Sequence, residues 1–143
     1  SCPTRRSSDL YLVSLLSQAG LKDLVPSHGD ILVALFAQET VTMQELSEKI
    51  HRDPSTITAL VKKLVLSGYV QTQKSVTDKR RTEVSLTPKG KSLRSTFETI
   101  STTLVSTQME RIDADAFAIT CATLNQIRAN FIAANQKEKT SSQ

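Results

Sequence analysis

Apolar residues recur at helical spacing from Tyr11 onward, switch to alternation after Gly68, and return to helical spacing after Gly90. "DLYLVSLLSQAG" repeats them on one helical face and ends at Gly20, which suits the position just past a helix end. "VPSHGDILVALFAQE" begins at Pro26, places Asp30 three residues after Ser27 as in a capping box, and points Ile31, Leu32, Leu35 and Phe36 inward. Gly29 interrupts this helix and predicts a closely packed neighbour, and His28 reads as a partly exposed polar residue rather than a ligand.

In "TMQELSEKI", Thr42 and Glu45 form a T-x-x-E capping box, with Leu46 and Ile50 inward. After a break at His51-Arg52, "DPSTITALVKKLVLSGYV" offers Asp53 as N-cap and Pro54 as first helical residue. Its stripe of Ile57, Leu60, Val61, Leu64 and Val65 is predicted to be buried, which leaves Ser55, Thr56, Thr58, Ala59, Lys62 and Lys63 outside. Two short helices joined by a tight break, the second presenting small hydroxyls and then lysines, make a helix-turn-helix. Pro54, Ser55, Thr56, Thr58 and Lys62 are the candidate residues on its DNA-facing helix, where hydroxyls and N–H groups meet phosphates and longer side chains reach base edges.

"YVQTQKSV" and "TEVSLT" then alternate as two strands around the loop Asp78–Arg81. A hairpin directly after such a helix is a wing. Lys79, Arg80 and Arg81 are its candidate contacts to a minor groove or flanking phosphates, and Asp78, which would repel DNA if free, is expected to pair with a nearby arginine and stiffen the tip. The predicted fold is therefore mainly α with a small β-hairpin wing: a winged helix-turn-helix with long terminal dimerisation helices. Those helices are read from Leu93, Phe97, Ile100 and Leu104 on one stripe, and from Phe117, Cys121, Leu124, Ile127 and Phe131 on another. Amphipathic surface outside a compact winged helix is economically covered by a two-fold partner.

Charge sharpens this picture. Nine of the eighteen basic residues lie in residues 51–91 against three acids, so the segment carries +6 while the whole chain carries +4. A basic middle between neutral or acidic flanks is the footprint of double-stranded DNA as a partner. The 143 residues, 38% hydrophobic, suffice for one domain without metal or disulfide staples. Absence of an apolar run of roughly 18 residues and of a signal-peptide pattern leads to the expectation of a cytoplasmic chain with no membrane partner. Cys2 and Cys121 form no metal-ligand spacing, and no phosphate loop, H-E-x-x-H or G-x-S-x-G is present, so neither a metal, a cofactor nor catalysis is expected. Cys121 lies on the apolar stripe and is expected as a buried structural thiol.

Residues 1–10, "SCPTRRSSDL", lack any apolar stripe, and Pro3–Leu10 correspond to the reading frame CCT ACA CGA CGC TCT TCC GAT CT, which resembles the tail of a DNA-sequencing adapter. They are expected to be a non-native or disordered tail. The remaining organisation is read as 11–24, remnant of an N-terminal dimerisation helix; 25–90, DNA-binding winged helix; 91–135, C-terminal dimerisation helices; and 136–143, disordered tail.

The arrangement D-x-R, five residues, L-T and a glycine three beyond, here Asp78, Arg80, Leu86, Thr87 and Gly90, resembles the wing signature of the multiple antibiotic resistance regulator (MarR) family. "MQELSEKIHRDPSTITALVKKLVLSGYV" is similar to that family's helix-turn-helix, and the resemblance extends over roughly residues 20–135. It implies a homodimeric winged-helix transcription regulator, most often a repressor of a pseudo-palindromic operator. Arg80 would contact the minor groove, the helix from Pro54 would read the major groove, and a small-molecule effector of unassigned identity would lodge between the dimer helices and the winged domain. Where the family often carries arginines, this chain has Ala59 and, near the end of the first wing strand, Thr72, which implies a different operator preference. Two other readings are an oxidation sensor acting through Cys121 and a winged helix used as a protein-interaction module. The latter would call for a neutral or acidic wing.

Overall fold

The computed structural model describes residues 3–141, and side chains for residues 7–137. The chain divides after Leu104 into two compact units.

The first unit opens with α1 (Pro3–Gln18) and α2 (Pro26–Ala37), then β1 (Thr40–Thr42), α3 (Met43–Ile50) and α4 (Pro54–Leu66). β2 (Val70–Lys74), β3 (Thr82–Leu86), the single turn α5 (Pro88–Lys91) and α6 (Arg94–Met109), which runs across the division, complete it. The three strands form one antiparallel sheet in the order β1-β3-β2. Val84 sits at its centre, opposite Val41 on one side and Thr72 on the other. Two strands are predicted by the alternation after Gly68; the third, β1, is only three residues long, and Thr42 both ends it and caps α3. So short a run shows no period, although its Thr-Val-Thr composition is β-branched throughout.

The core gathers Leu16, Leu21 and Leu24 with Ile31, Leu32 and Leu35 of α2, Leu46 of α3, Ile57, Val61 and Leu64 of α4, and Val41, Val70 and Val84 of the sheet. Phe97 and Ile100 of α6 close it, and Gly29 leaves the room Phe97 needs: a Cβ there would lie 3.3 Å from the Phe97 ring. The α4 stripe is narrower than predicted. Leu60 is half-buried, and Val65 stays 39% exposed because it lies at the rim of the helix facing the wing.

The start of α2 differs from the predicted Ser27–Asp30 box. Val25 is the N-cap residue, and the Nδ1 of His28 accepts its backbone N–H at 3.1 Å. His28 is buried rather than partly exposed, at 6% accessibility. Burial, aided by the charge of Lys63, holds its imidazole below the usual histidine range.

The expected terminal tails are helical where described. Residues 3–10 continue α1 with exposed side chains from Ser7 to Leu10, and the last helix runs on through Ser141; residues 1, 2, 142 and 143 lie outside the described residues. Extending a helix costs far less than nucleating one, so a segment without an apolar stripe can still prolong it.

The second unit is essentially α7 (Ala114–Ser141), whose first turn is capped by Asp113 through the Ala116 N–H at 2.9 Å. Leu124, Ile127 and Phe131 share one of its faces and are exposed; Phe117 and Cys121 are half-buried. The thiol expected to be buried is thus partly open. No described helix is long and apolar enough to cross a membrane.

Candidate nucleic-acid interface

The helix-turn-helix is set by its caps. Thr42 accepts the Glu45 N–H at 3.2 Å through its hydroxyl, and the Glu45 carboxylate accepts the Thr42 backbone N–H at 2.7 Å and its hydroxyl at 2.9 Å. These bonds from the Thr42 backbone and side chain hold the Glu45 carboxyl below its ordinary range, with smaller help from the charges of Lys49 and wing Arg81. Between the helices, His51 takes the left-handed conformation, φ 55°, and the Arg52 N–H reaches the Ser47 carbonyl at 3.2 Å.

Asp53 caps α4. Its carboxylate accepts the Thr56 N–H at 2.9 Å, the Thr56 hydroxyl at 2.6 Å and the Ser55 hydroxyl. The Ser55 hydroxyl, then the Thr56 hydroxyl and N–H, hold this carboxyl far below the usual aspartate range. Thr58 donates its own hydroxyl to the Pro54 carbonyl at 2.8 Å. Pro54, Ser55, Thr58 and Lys62 are exposed and Thr56 is half-buried.

The wing follows from the end of α4. Gly68 adopts φ 77°, a left-handed conformation that a side chain would strain, and turns the chain into β2. The wing's base is closed by the L-T-x-x-G residues. The Thr87 hydroxyl donates to the carbonyls of Gly68 and Tyr69 at 2.6 and 3.1 Å and accepts the Gly90 N–H at 3.1 Å. A Cβ on Gly90 would sit 2.0 Å from the Tyr69 carbonyl oxygen, so only glycine fits. Leu86 is buried beneath this junction. The signature residues other than Asp78 and Arg80 thus fix the wing to α4 rather than touch a ligand.

Lys89, one of the nine basic residues of the segment, also has a structural use: its Nζ donates to the Ser67 carbonyl at 2.8 Å and lies 4.6 Å from the centre of the Tyr69 ring. At the tip, Asp78 bonds to both neighbours. Its Oδ1 accepts the Arg80 backbone N–H at 3.0 Å and lies 3.3 Å from the Arg80 Nε, while Oδ2 lies 3.6 Å from the Arg81 Nε. Lys79, Arg80 and Arg81 are all exposed.

The two halves meet along a groove of about 650 Å³. Thr58, Lys62 and Val65 line it from α4, Met43 and Gln44 from α3, and Thr72, Arg80 and Arg81 from the wing. The structure thus brings Thr58, Lys62, Arg80 and Arg81 together. Ser55 and Thr56 stand apart at the helix start, bonded to Asp53, and Lys79 does not line the groove. Met43 and Gln44 were not legible as groove residues, since their place depends on the three-dimensional approach of α3 to the wing. Among the described residues, no group of three or more His, Cys, Asp and Glu could hold a metal ion.

Residues 24–82 match the family described as "MarR family". Over 79 residues, 55% of the chain, the sequence is 32% identical to the HTH-type transcriptional regulator SarZ of Staphylococcus saprophyticus. That stretch covers 54% of SarZ, so the chain spans about half the length of the curated relatives it matches. The fold is similar to that of a MarR transcriptional regulator from Methanosarcina mazei Go1, with a TM-score of 0.76 at 22% identity over 90% of this chain and 91% of that one. It is likewise similar to a mutant of Escherichia coli MarR complexed with operator DNA, with a TM-score of 0.78 at 22% identity over 86% of each chain.

Proposed function

We propose that the chain, whose residues 24–82 match the MarR family, is a DNA-binding transcription regulator of that family, a homodimeric repressor of a pseudo-palindromic operator that a small-molecule effector releases. The observation that carries this reading is the shared groove, in which Thr58 and Lys62 of the second helix face Arg80 and Arg81 of the wing. A helix of this width enters a major groove, and the wing arginines beside it reach the neighbouring minor groove or its phosphates. The operator-bound E. coli relative shares this fold and supports the same mode for this chain. Its work is non-catalytic, needs no cofactor, and is done in the cytoplasm, where operator DNA is found. An exposed wing carrying Lys79, Arg80 and Arg81 suits DNA better than a protein-interaction surface.

Footprinting on a duplex selected from source genomic fragments tests the reading. Two protected half-sites about one helical turn apart are expected, with affinity falling steeply as salt rises. A single non-palindromic footprint, or binding indifferent to salt, would overturn it.

A further inference from the structure

A protein that puts a helix in a major groove and a wing in the neighbouring minor groove must straddle the sugar-phosphate strand that forms the wall between the two. The space between α4 and the wing is where that strand has to lie, and its lining has the matching chemistry. Thr58, Lys62 and Val65 fall on one side of α4 at positions i, i+4 and i+7, with Met43 of α3 and Thr72 of β2 beside them. Among the described residues that line the groove, Lys62, Arg80 and Arg81 carry charge, all of it positive, and a cleft lined by one sign of charge concentrates the opposite sign. Val65 is 39% exposed and Met43 half-buried, so apolar surface lies open between the cations. Thr42 and Thr58 spend their hydroxyl protons on Glu45 and the Pro54 carbonyl, so neither has one to offer a phosphate.

We infer that this groove seats one sugar-phosphate strand of the operator, with its phosphates on Lys62 and Arg81 and a deoxyribose against Val65 and Met43. Arg80, at the wing tip, is left to the minor groove. Two consequences follow from the chemistry. Lys62 supplies affinity rather than a choice of base, because a phosphate carries no sequence information. Val65 and Met43 favour a sugar without a 2′-hydroxyl, since a hydroxyl pressed against apolar surface loses its water and gains no partner.

This assignment rests on the regulator reading, and the experiment separates their failures. On the footprinted duplex, single phosphates are replaced by uncharged methylphosphonates and, in a second series, single deoxynucleotides by ribonucleotides; affinity is measured for the full chain, Val65→Ala and Lys62→Ala. In each half-site, neutral linkages should weaken wild-type binding several-fold in the strand between the major-groove bases and the minor-groove flank. A ribonucleotide in that strand should also cost wild type several-fold and cost Val65→Ala much less. Any change that a ribose makes to the duplex is common to both proteins and cancels, and alanine is a better helix former than valine, so α4 is not at risk. Lys62→Ala should lose affinity by one factor on every sequence and reduce the salt slope by about 1. Neutral linkages that matter only elsewhere, or equal ribose penalties for wild type and Val65→Ala, would overturn the inference and leave binding at two half-sites standing; that pattern is expected if a small organic anion occupies the groove instead of a strand. A chain that protects no half-site on any duplex would overturn the regulator reading, and the inference with it.

Discussion

Asp78 holds Arg80 at two points, accepting its backbone N–H at 3.0 Å and lying 3.3 Å from its Nε, yet leaves 92% of the arginine side chain exposed. The acid fixes the turn and the direction of the stem without covering the guanidinium head. An exposed ion pair of this kind adds little to folding. On the proposed function its effect would be on presentation: the head would be aimed before DNA arrives, and less freedom would be lost on binding.

Replacing Arg80 with Ala should therefore weaken operator binding by about 1–3 kcal/mol, the range of one good specific contact. Thermal stability should barely move, because so exposed a side chain buries little apolar area. Arg80→Lys should recover only part of the loss if the head enters the minor groove, since ammonium is more strongly hydrated than guanidinium. Full recovery by lysine would indicate a simple phosphate contact, and unchanged binding in Arg80→Ala would remove the wing from the mechanism.

Gly90 is expected to tolerate no side chain. The 2.0 Å approach of its virtual Cβ to the Tyr69 carbonyl is to backbone, which cannot swing aside like the end of a flexible side chain. Gly90→Ala should destabilise the fold by about 2 kcal/mol or more, read by chemical denaturation. The neighbouring Lys89→Ala tests the same junction without the clash; it should cost less and mainly loosen the wing, seen as faster amide exchange in β2.

The elements with a clear period or cap were legible in the sequence, and the departures have local causes. The Thr42–Glu45 box, the Asp53 cap and the alternation of β3 each act within a few residues, so a short window contains the whole signal. β1 was missed because three residues pair only with a strand forty positions later. His28 was misjudged for a related reason. Its burial comes from neighbours in the fold, and a histidine accepting an N–H at a helix start has no composition signature. In the groove, Thr58, Lys62, Arg80 and Arg81 could be named from helix phase and loop position, whereas the bonding of Ser55 and Thr56 to Asp53 required coordinates.

Burial of His28 gives stability a defined pH dependence. Its folded pKa lies below the ordinary 6.5, so above that value both states are neutral and the contribution is complete. As pH falls below about 6.5 the unfolded chain gains a proton that the folded chain resists, and stability is lost progressively down to the folded pKa. His28→Asn can keep an acceptor for the Val25 N–H while removing the titration. Wild type should lose more stability than this variant between pH 7 and 5, measured by denaturant midpoint; parallel pH profiles would place the titration elsewhere. Glu45 and Asp53, whose pKa values are also lowered, act in a more acidic window, with their contributions lost only as pH falls through the carboxylate range.

The apolar face of α7 provides the test of assembly. Phe131 is 69% exposed and shares its face with Leu124 and Ile127, three large side chains that a helix in water would not keep uncovered without cause. If a second copy covers them, each dimer buries two Phe131 rings, and burying one such side chain is worth about 1.5–3 kcal/mol. Phe131→Ala should therefore raise the dimer dissociation constant by at least about tenfold while raising helix propensity at that position, so a loss of helix cannot explain the change. Sedimentation would show monomer at concentrations where wild type is paired. Operator binding should weaken in step, because two half-sites are then no longer held by one particle, whereas affinity for an isolated half-site should stay the same. An unchanged dissociation constant, with the helix intact, would mean that this face of α7 is not the dimer contact.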